Sequence, residues 1–133
     1  MRISDIETPA IIIDLDIMEA NLRKVADYSR RHNLRLRPHT KTHKISALGR
    51  RQVELGAAGL TVAKVGEAEI MAAATPDLLI AYPVIGRGKL DRLMNVARQT
   101  AVAVSLDSMA AARPLSDAAR KQLNELARLA AND

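Results

Sequence analysis

The sequence predicts an α/β fold in which parallel strands alternate with helices. Three observations predict it. Short β-prone runs begin near Leu34, Gly59, Leu78 and Ala101, and a stretch with helical spacing of apolar residues follows each. Helix-ending residues, Asn33, Gly56 and the Thr75-Pro76 pair, stand between these units. The run Leu78-Leu79-Ile80-Ala81-Tyr82-Pro83 is apolar without alternation, as in a strand covered on both faces. Such alternation implies parallel strands with right-handed crossovers.

The elements follow in order. Pro9-Ala10-Ile11-Ile12-Ile13 reads as a short β-branched strand. Asp16 is the expected N-cap of a helix from about Ile17 to His32, with Glu19 completing a near capping box. Met18, Leu22, Val25 and Ser29 share one face of it, with Ala26 beside them, and Asn33 closes it in left-handed geometry. Asp14 and Asp16 are read as capping acids and not as a metal pair. Leu34-Arg35-Leu36-Arg37 alternates with period two, a strand that Pro38 stops. A helix through Ile45, Leu48, Gln52 and Leu55 ends at Gly56, and Gly59 to Ala63 is the next strand. Residues 66–74 form a helix whose acids, Glu67 and Glu69, are two apart and share no face; both read as first-turn acids.

After the apolar strand, Gly86-Arg87-Gly88-Lys89 resembles a phosphate loop only briefly. Leu90 stands where Ser or Thr is needed, and Pro83 where Gly is needed, so a loop and helix start is expected. Leu90, Leu93, Met94 and Ala97 stripe that helix. Ala101 to Leu106 is a further strand and Asp107 an N-cap. Pro114 is expected to kink or restart the last helix, with Ser116 capping a segment from Asp117 to about Ala131.

The chain of 133 residues is 48% hydrophobic, which suffices for one core and not two. It has no Cys, so it has neither a disulfide frame nor a thiolate nucleophile. Residues 1–7 carry Asp5 and Glu7 without an apolar core, unlike a signal peptide, and the run 78–86 is too short to cross a bilayer. A cytoplasmic protein without a membrane partner is expected. The net charge of +5 is concentrated in Arg30, Arg31, Arg35, Arg37, Lys41, Lys44, Arg50 and Arg51, with no acid between Asp27 and Glu54. Such a patch attracts polyanions. However, the only aromatics, Tyr28 and Tyr82, do not interleave with these cations, and no helix-turn-helix or zinc-finger spacing is present. Nucleic-acid binding is not expected.

Just past the strand at Leu34 sit His39, Lys41, His43 and Lys44. Parallel α/β folds place their chemistry at the C-terminal mouths of strands. Three readings of the cluster stay open on the residues alone. A lysine crowded by cations can condense with a carbonyl, basic groups beside a strand end can hold a phosphate, and a run of charge can simply be solvated.

Four motifs narrow the choice. Thr8-Pro9-Ala10-Ile11-Ile12-Ile13-Asp14-Leu15-Asp16, Arg37-Pro38-His39-Thr40-Lys41-Thr42-His43-Lys44, Val62-Ala63-Lys64-Val65-Gly66-Glu67-Ala68-Glu69 and Ile80-Ala81-Tyr82-Pro83 occur in this order. In order and spacing the chain resembles the D-threonine aldolase and D-serine dehydratase family, which is similar to the N-terminal barrel of alanine racemase. The resemblance runs to about Arg120, and the Arg-Pro-His-x-Lys-Thr-His-Lys run is its specific part. It implies a partial TIM (β/α) barrel comprising about the first four strand–helix units. It also implies pyridoxal 5'-phosphate as cofactor and Lys41, not Lys44, as the Schiff-base lysine. By the same resemblance His39, Arg37 and Tyr82 are expected near the cofactor, and His43 on the same mouth. The implied reaction is cleavage of a D-β-hydroxy amino acid, by a retro-aldol step or, alternatively, by loss of the hydroxyl in a dehydratase-type ammonia-lyase. A non-catalytic cofactor carrier is a further alternative.

A complete (β/α)8 barrel takes about 250 residues. The family's divalent metal is bound near its C-terminus, and those ligands are absent from this sequence. The expectation is therefore one domain over 1–133, the N-terminal part of such a barrel, with 121–133 departing from the family pattern. It is expected to be a fragment or truncated form, inactive alone. Open sheet edges would favour self-association, and a clean monomer by light scattering would count against that.

Overall fold

The computed structural model describes residues 2–130. Helix α1 spans Leu15–Arg31, α2 Ser46–Glu54, strand β1 Leu60–Val62, α3 Val65–Met71, β2 Asp77–Ile80, α4 Arg87–Ala97, β3 Ala101–Val104 and α5 Met109–Ala130. The strands form one parallel sheet in the order β1-β2-β3, with Leu60 beside Leu78 and Leu78 beside Val102. A parallel sheet with a helix after each strand matches the predicted α/β class and is consistent with part of a barrel.

One face of the sheet carries the core. Leu60, Val62, Leu78 and Ile80 are fully buried against Val65, Ala68 and Met71 of α3 and Leu90, Leu93 and Val96 of α4. Each large side chain so placed contributes about 1.5–3 kcal/mol. On the opposite face Asp77 and Leu79 are half-buried, and Ala101 and Ala103 are exposed. Burial in β2 thus alternates, against the expectation of a strand covered on both sides, because α3 and α4 pack on one face only.

Local signals set most of the boundaries. Asn33 at φ 52° closes α1, and Gly56 at φ 103° follows α2, both in the left-handed region. The cap of α1 is Asp14, not Asp16: its carboxylate accepts the Ile17 N–H at 3.0 Å, which places Asp16 inside the first turn. Glu19 serves the tertiary structure instead of a capping box. It pairs with Arg51 of α2 and with Arg23, and these guanidiniums, Arg51 first, hold its carboxyl down to about 2.

Three further expectations fail. Pro9 to Ile13 is not a strand; Ile11 is 97% exposed, and no backbone among the described residues pairs with it. Strand propensity without a neighbouring ladder does not make a strand. The run Leu34–Arg37 is likewise not a full strand. Leu36 and Pro38 accept from the Ala58 and Thr61 amides at 2.8 and 2.7 Å, but only His39 forms a bridge, to Thr61. Pro38 has no N–H with which to extend the ladder. Finally, α5 runs unbroken through Pro114, and Ser108, not the expected Asp107, caps it, its hydroxyl accepting the Ala111 N–H. Ala131, the expected end of this helix, lies outside the described residues.

Candidate functional site

The parallel alignment of His39 with Thr61 brings the basic loop to the C-terminal end of β1. There the chain turns through a single 3-10 turn, Thr40–Thr42. His39 caps it, its Nδ1 accepting the Lys41 N–H at 3.2 Å. Thr40 is buried, and its hydroxyl donates to the Thr61 carbonyl at 3.2 Å. The Lys44 N–H closes the turn on the Thr40 carbonyl at 2.8 Å. Lys41 is therefore an exposed side chain on a backbone anchored at three points, and no carboxylate among the described residues pairs with it. An amine so presented can meet a ligand aldehyde with little reorganisation of the chain.

Lys44 is placed differently. At φ 54° it lies in the left-handed region, and its Nζ stands 3.6 Å from Glu67 Oε1. Glu67 itself is buried, and its other oxygen accepts the Ala63 N–H at 2.9 Å. This acid belongs to the lysine turn and is more than a first-turn acid of α3; Glu69 instead pairs with Arg92 across to α4.

His43 turns inward. Its Nδ1 accepts the Ile45 N–H at 3.0 Å, which leaves the ring proton on Nε2. Nε2 and Gln52 Oε1 are both buried, and neither has a hydrogen-bond partner among the described residues. Burial pushes the imidazole below its usual range. His43 thus supports α2 from beneath the loop and does not line the mouth.

Arg37 is not brought to Lys41. Its guanidinium makes a two-pronged contact with Asp77, at 2.9 and 2.6 Å, beside the Asp77 carbonyl at the N-terminal end of β2. This pairing holds the Asp77 carboxyl below the usual carboxylate range. A Cβ at Gly59 would meet Arg37 at 2.5 Å and the Asp77 carbonyl at 2.6 Å, so only glycine fits beneath this pair.

Tyr82 lies at the rim, where it lines a cavity of about 440 Å³ with Val65, Ile80, Val84, Lys64 and Lys89. Lys41 is not among the residues that line this cavity. Of the expected group, then, the structure keeps His39 with Lys41, gives Tyr82 a separate hollow, and commits Arg37 to the other end of the strands. Thr40 and Glu67 are the site residues that sequence reasoning missed. Among the described residues no three His, Asp or Glu side chains gather as metal ligands, and no helix is long and apolar enough to cross a membrane.

A parallel α/β layer with a lysine on a turn at the strands' C-terminal rim defines the class, and the chain matches the family "alanine racemase, N-terminal domain" over residues 13–129. It belongs to that family. Among solved structures it resembles D-threonine aldolase from Filomicrobium marinum, with 42% identity and a TM-score of 0.86 over 90% of this chain and 33% of that one. It is 39% identical to the 3-hydroxy-D-aspartate aldolase of Paracoccus denitrificans over 92% of its own length and 33% of the relative's. It also resembles the D-threo-3-hydroxyaspartate dehydratase of Delftia sp. HT23, at 34% identity and a TM-score of 0.76 over 89% and 31% of the two chains. The chain thus spans about a third of the length of these relatives.

Proposed function

We propose that this chain forms the lysine-bearing part of a pyridoxal-phosphate-dependent lyase acting on D-β-hydroxy amino acids, most like a D-threonine aldolase. The single observation that carries the reading is the anchored turn that presents an exposed Lys41 at the C-terminal end of β1, with no carboxylate partner among the described residues. In this reading the segment at Leu36–His39 and the three strands after it are the first four units of a (β/α) barrel, which further chain would close.

The residues present fit the aldehyde end of the cofactor. Lys41 offers an accessible amine, and the Nδ1 of its neighbour His39 is engaged with the backbone, so the ring keeps Nε2 for a ligand. Lys41 and His39 would hold that end, and the bound cofactor would supply an electron sink for the bond broken at Cα. The protein's part is to fix the amine. Thr40 and His39 hold the turn, so the Lys41 backbone is tied down while its side chain stays exposed. Arg37 acts at a distance, locking the entry of β2 to the strand segment that ends in the lysine turn.

A dehydratase-type ammonia-lyase is the second reading, favoured by the likeness to the Delftia dehydratase. Both readings use Lys41, and both place turnover in an assembly larger than these residues.

The test is spectroscopic. Pyridoxal phosphate added to the chain is expected to give a long-wavelength absorbance band that is lost in Lys41→Ala and kept in Lys24→Ala. An undiminished band in Lys41→Ala would overturn the assignment. D-threonine is expected to bleach or shift this band without release of glycine from the chain alone.

A further inference from the structure

Two lysines share the turn after His39, and the structure treats them unequally. Lys41 is exposed and meets no carboxylate among the described residues, whereas Lys44 Nζ lies 3.6 Å from Glu67. Glu67 is 6% exposed, a degree of burial that is unfavourable for a carboxylate without partners. Its partners are the Ala63 N–H, at the end of β1, and the Lys44 ammonium. The backbone reinforces the same geometry: Lys44 is held at φ 54°, with its N–H on the Thr40 carbonyl.

We infer that Glu67 is a selectivity-determining residue: by engaging Lys44 it withholds that amine and leaves Lys41 as the one that reacts with an aldehyde ligand. The inference rests on the cofactor reading above and adds to it the reason one of two neighbouring amines is chosen. The chemistry requires a free amine. Its lone pair adds to the aldehyde carbon, the carbonyl oxygen leaves as water with both amine protons, and a carbon–nitrogen double bond remains. An ammonium seated against a buried carboxylate must leave it before that addition can begin. Glu67 touches neither reacting atom, so its role is positioning.

The test compares labelling at individual lysines. The chain is treated with limiting pyridoxal phosphate and reduced with borohydride, which delivers hydride to the new carbon–nitrogen bond. Label on each lysine is then quantified by peptide mapping, with Lys121 on α5 as the internal reference. Glu67→Gln keeps an acceptor for the Ala63 N–H and removes the charge. In that variant label on Lys44 is expected to rise at least threefold relative to Lys121, with a circular dichroism spectrum like that of the parent. Label on Lys44 unchanged from the parent would overturn the inference. Should Glu67→Gln not fold, the parent chain in 1 M salt serves instead, since salt at about that strength screens a half-exposed pair; the Lys44 share is again expected to rise, and a flat response overturns the inference. Absence of label from Lys41 in the parent would defeat the cofactor reading, while a rise at Lys44 in the variant would still uphold the role of Glu67.

Discussion

Arg37 and Lys41 flank one short segment yet meet opposite fates. At the N-terminal end of the strands the Arg37 guanidinium is held by a two-pronged contact with Asp77 and packed so closely over Gly59 that no side chain fits there. At the C-terminal end Lys41 sits on a turn whose backbone is fixed, while its amine meets no carboxylate among the described residues. The contrast separates a cation used to hold strands together from a cation kept for chemistry. Charge pattern alone makes the two look alike; partners distinguish them.

Three perturbations probe this contrast, in order of expected effect. Gly59→Ala forces a methyl group into the Arg37–Asp77 pair and is expected to destabilise the chain by about 2–3 kcal/mol in urea unfolding. A loss of less than about 0.5 kcal/mol would show that the closed end has slack, since that is the range of neutral surface changes. Asp77→Ala leaves a half-buried guanidinium without its carboxylate and is expected to cost about 1.5 kcal/mol. Lys41→Ala, by contrast, is expected to stay within about 0.5 kcal/mol of the parent. If these two variants were equally damaging, the distinction between the ends would fail.

The smallest effect concerns the support beneath the lysine turn. Burial lowers the folded-state affinity of His43 for its proton below the ordinary value of 6.5. The unfolded chain then binds more protons than the folded one in the window between the two values. Its contribution to stability is full above about pH 6.5 and declines as pH falls through that window. His43→Asn, which retains an acceptor for the Ile45 N–H, is expected to flatten the stability–pH profile there. A profile identical to that of the parent would show that the imidazole does not titrate with unfolding.

How much of this was legible in the sequence depends on the range of each interaction. Asn33 and Gly56 were readable because a helix end needs a left-handed residue, which is a local requirement. The three sheet strands were readable as short β-prone runs between helix ends, and the core stripe Leu90 and Leu93 from helical spacing. The basic loop after Pro38 was readable from the proline, whereas only the resemblance singles out Lys41 within it. The Arg37–Asp77 pair was not readable, because it joins residues far apart in sequence and only the strand register brings them together. Thr40 stands between two more conspicuous side chains, and alternation past His39 is the available signal for its inward position. Glu67 carried no signal beyond being a first-turn acid, since its burial follows from how α3 returns over β1. Pro9 to Ile13 misled because β-branched residues report a tendency and not a partner.

The central claim is that Lys41 is the amine these strands present to a cofactor. Its most direct test is the distribution of borohydride-fixed pyridoxal phosphate over the lysines of the unmodified chain at limiting cofactor. Lys41 is expected to carry most of the label, and Lys41→Ala is expected not to transfer it to Lys44 while Glu67 is intact. Label spread evenly over the lysines, or centred on Lys64 and Lys89 beside Tyr82, would contradict it.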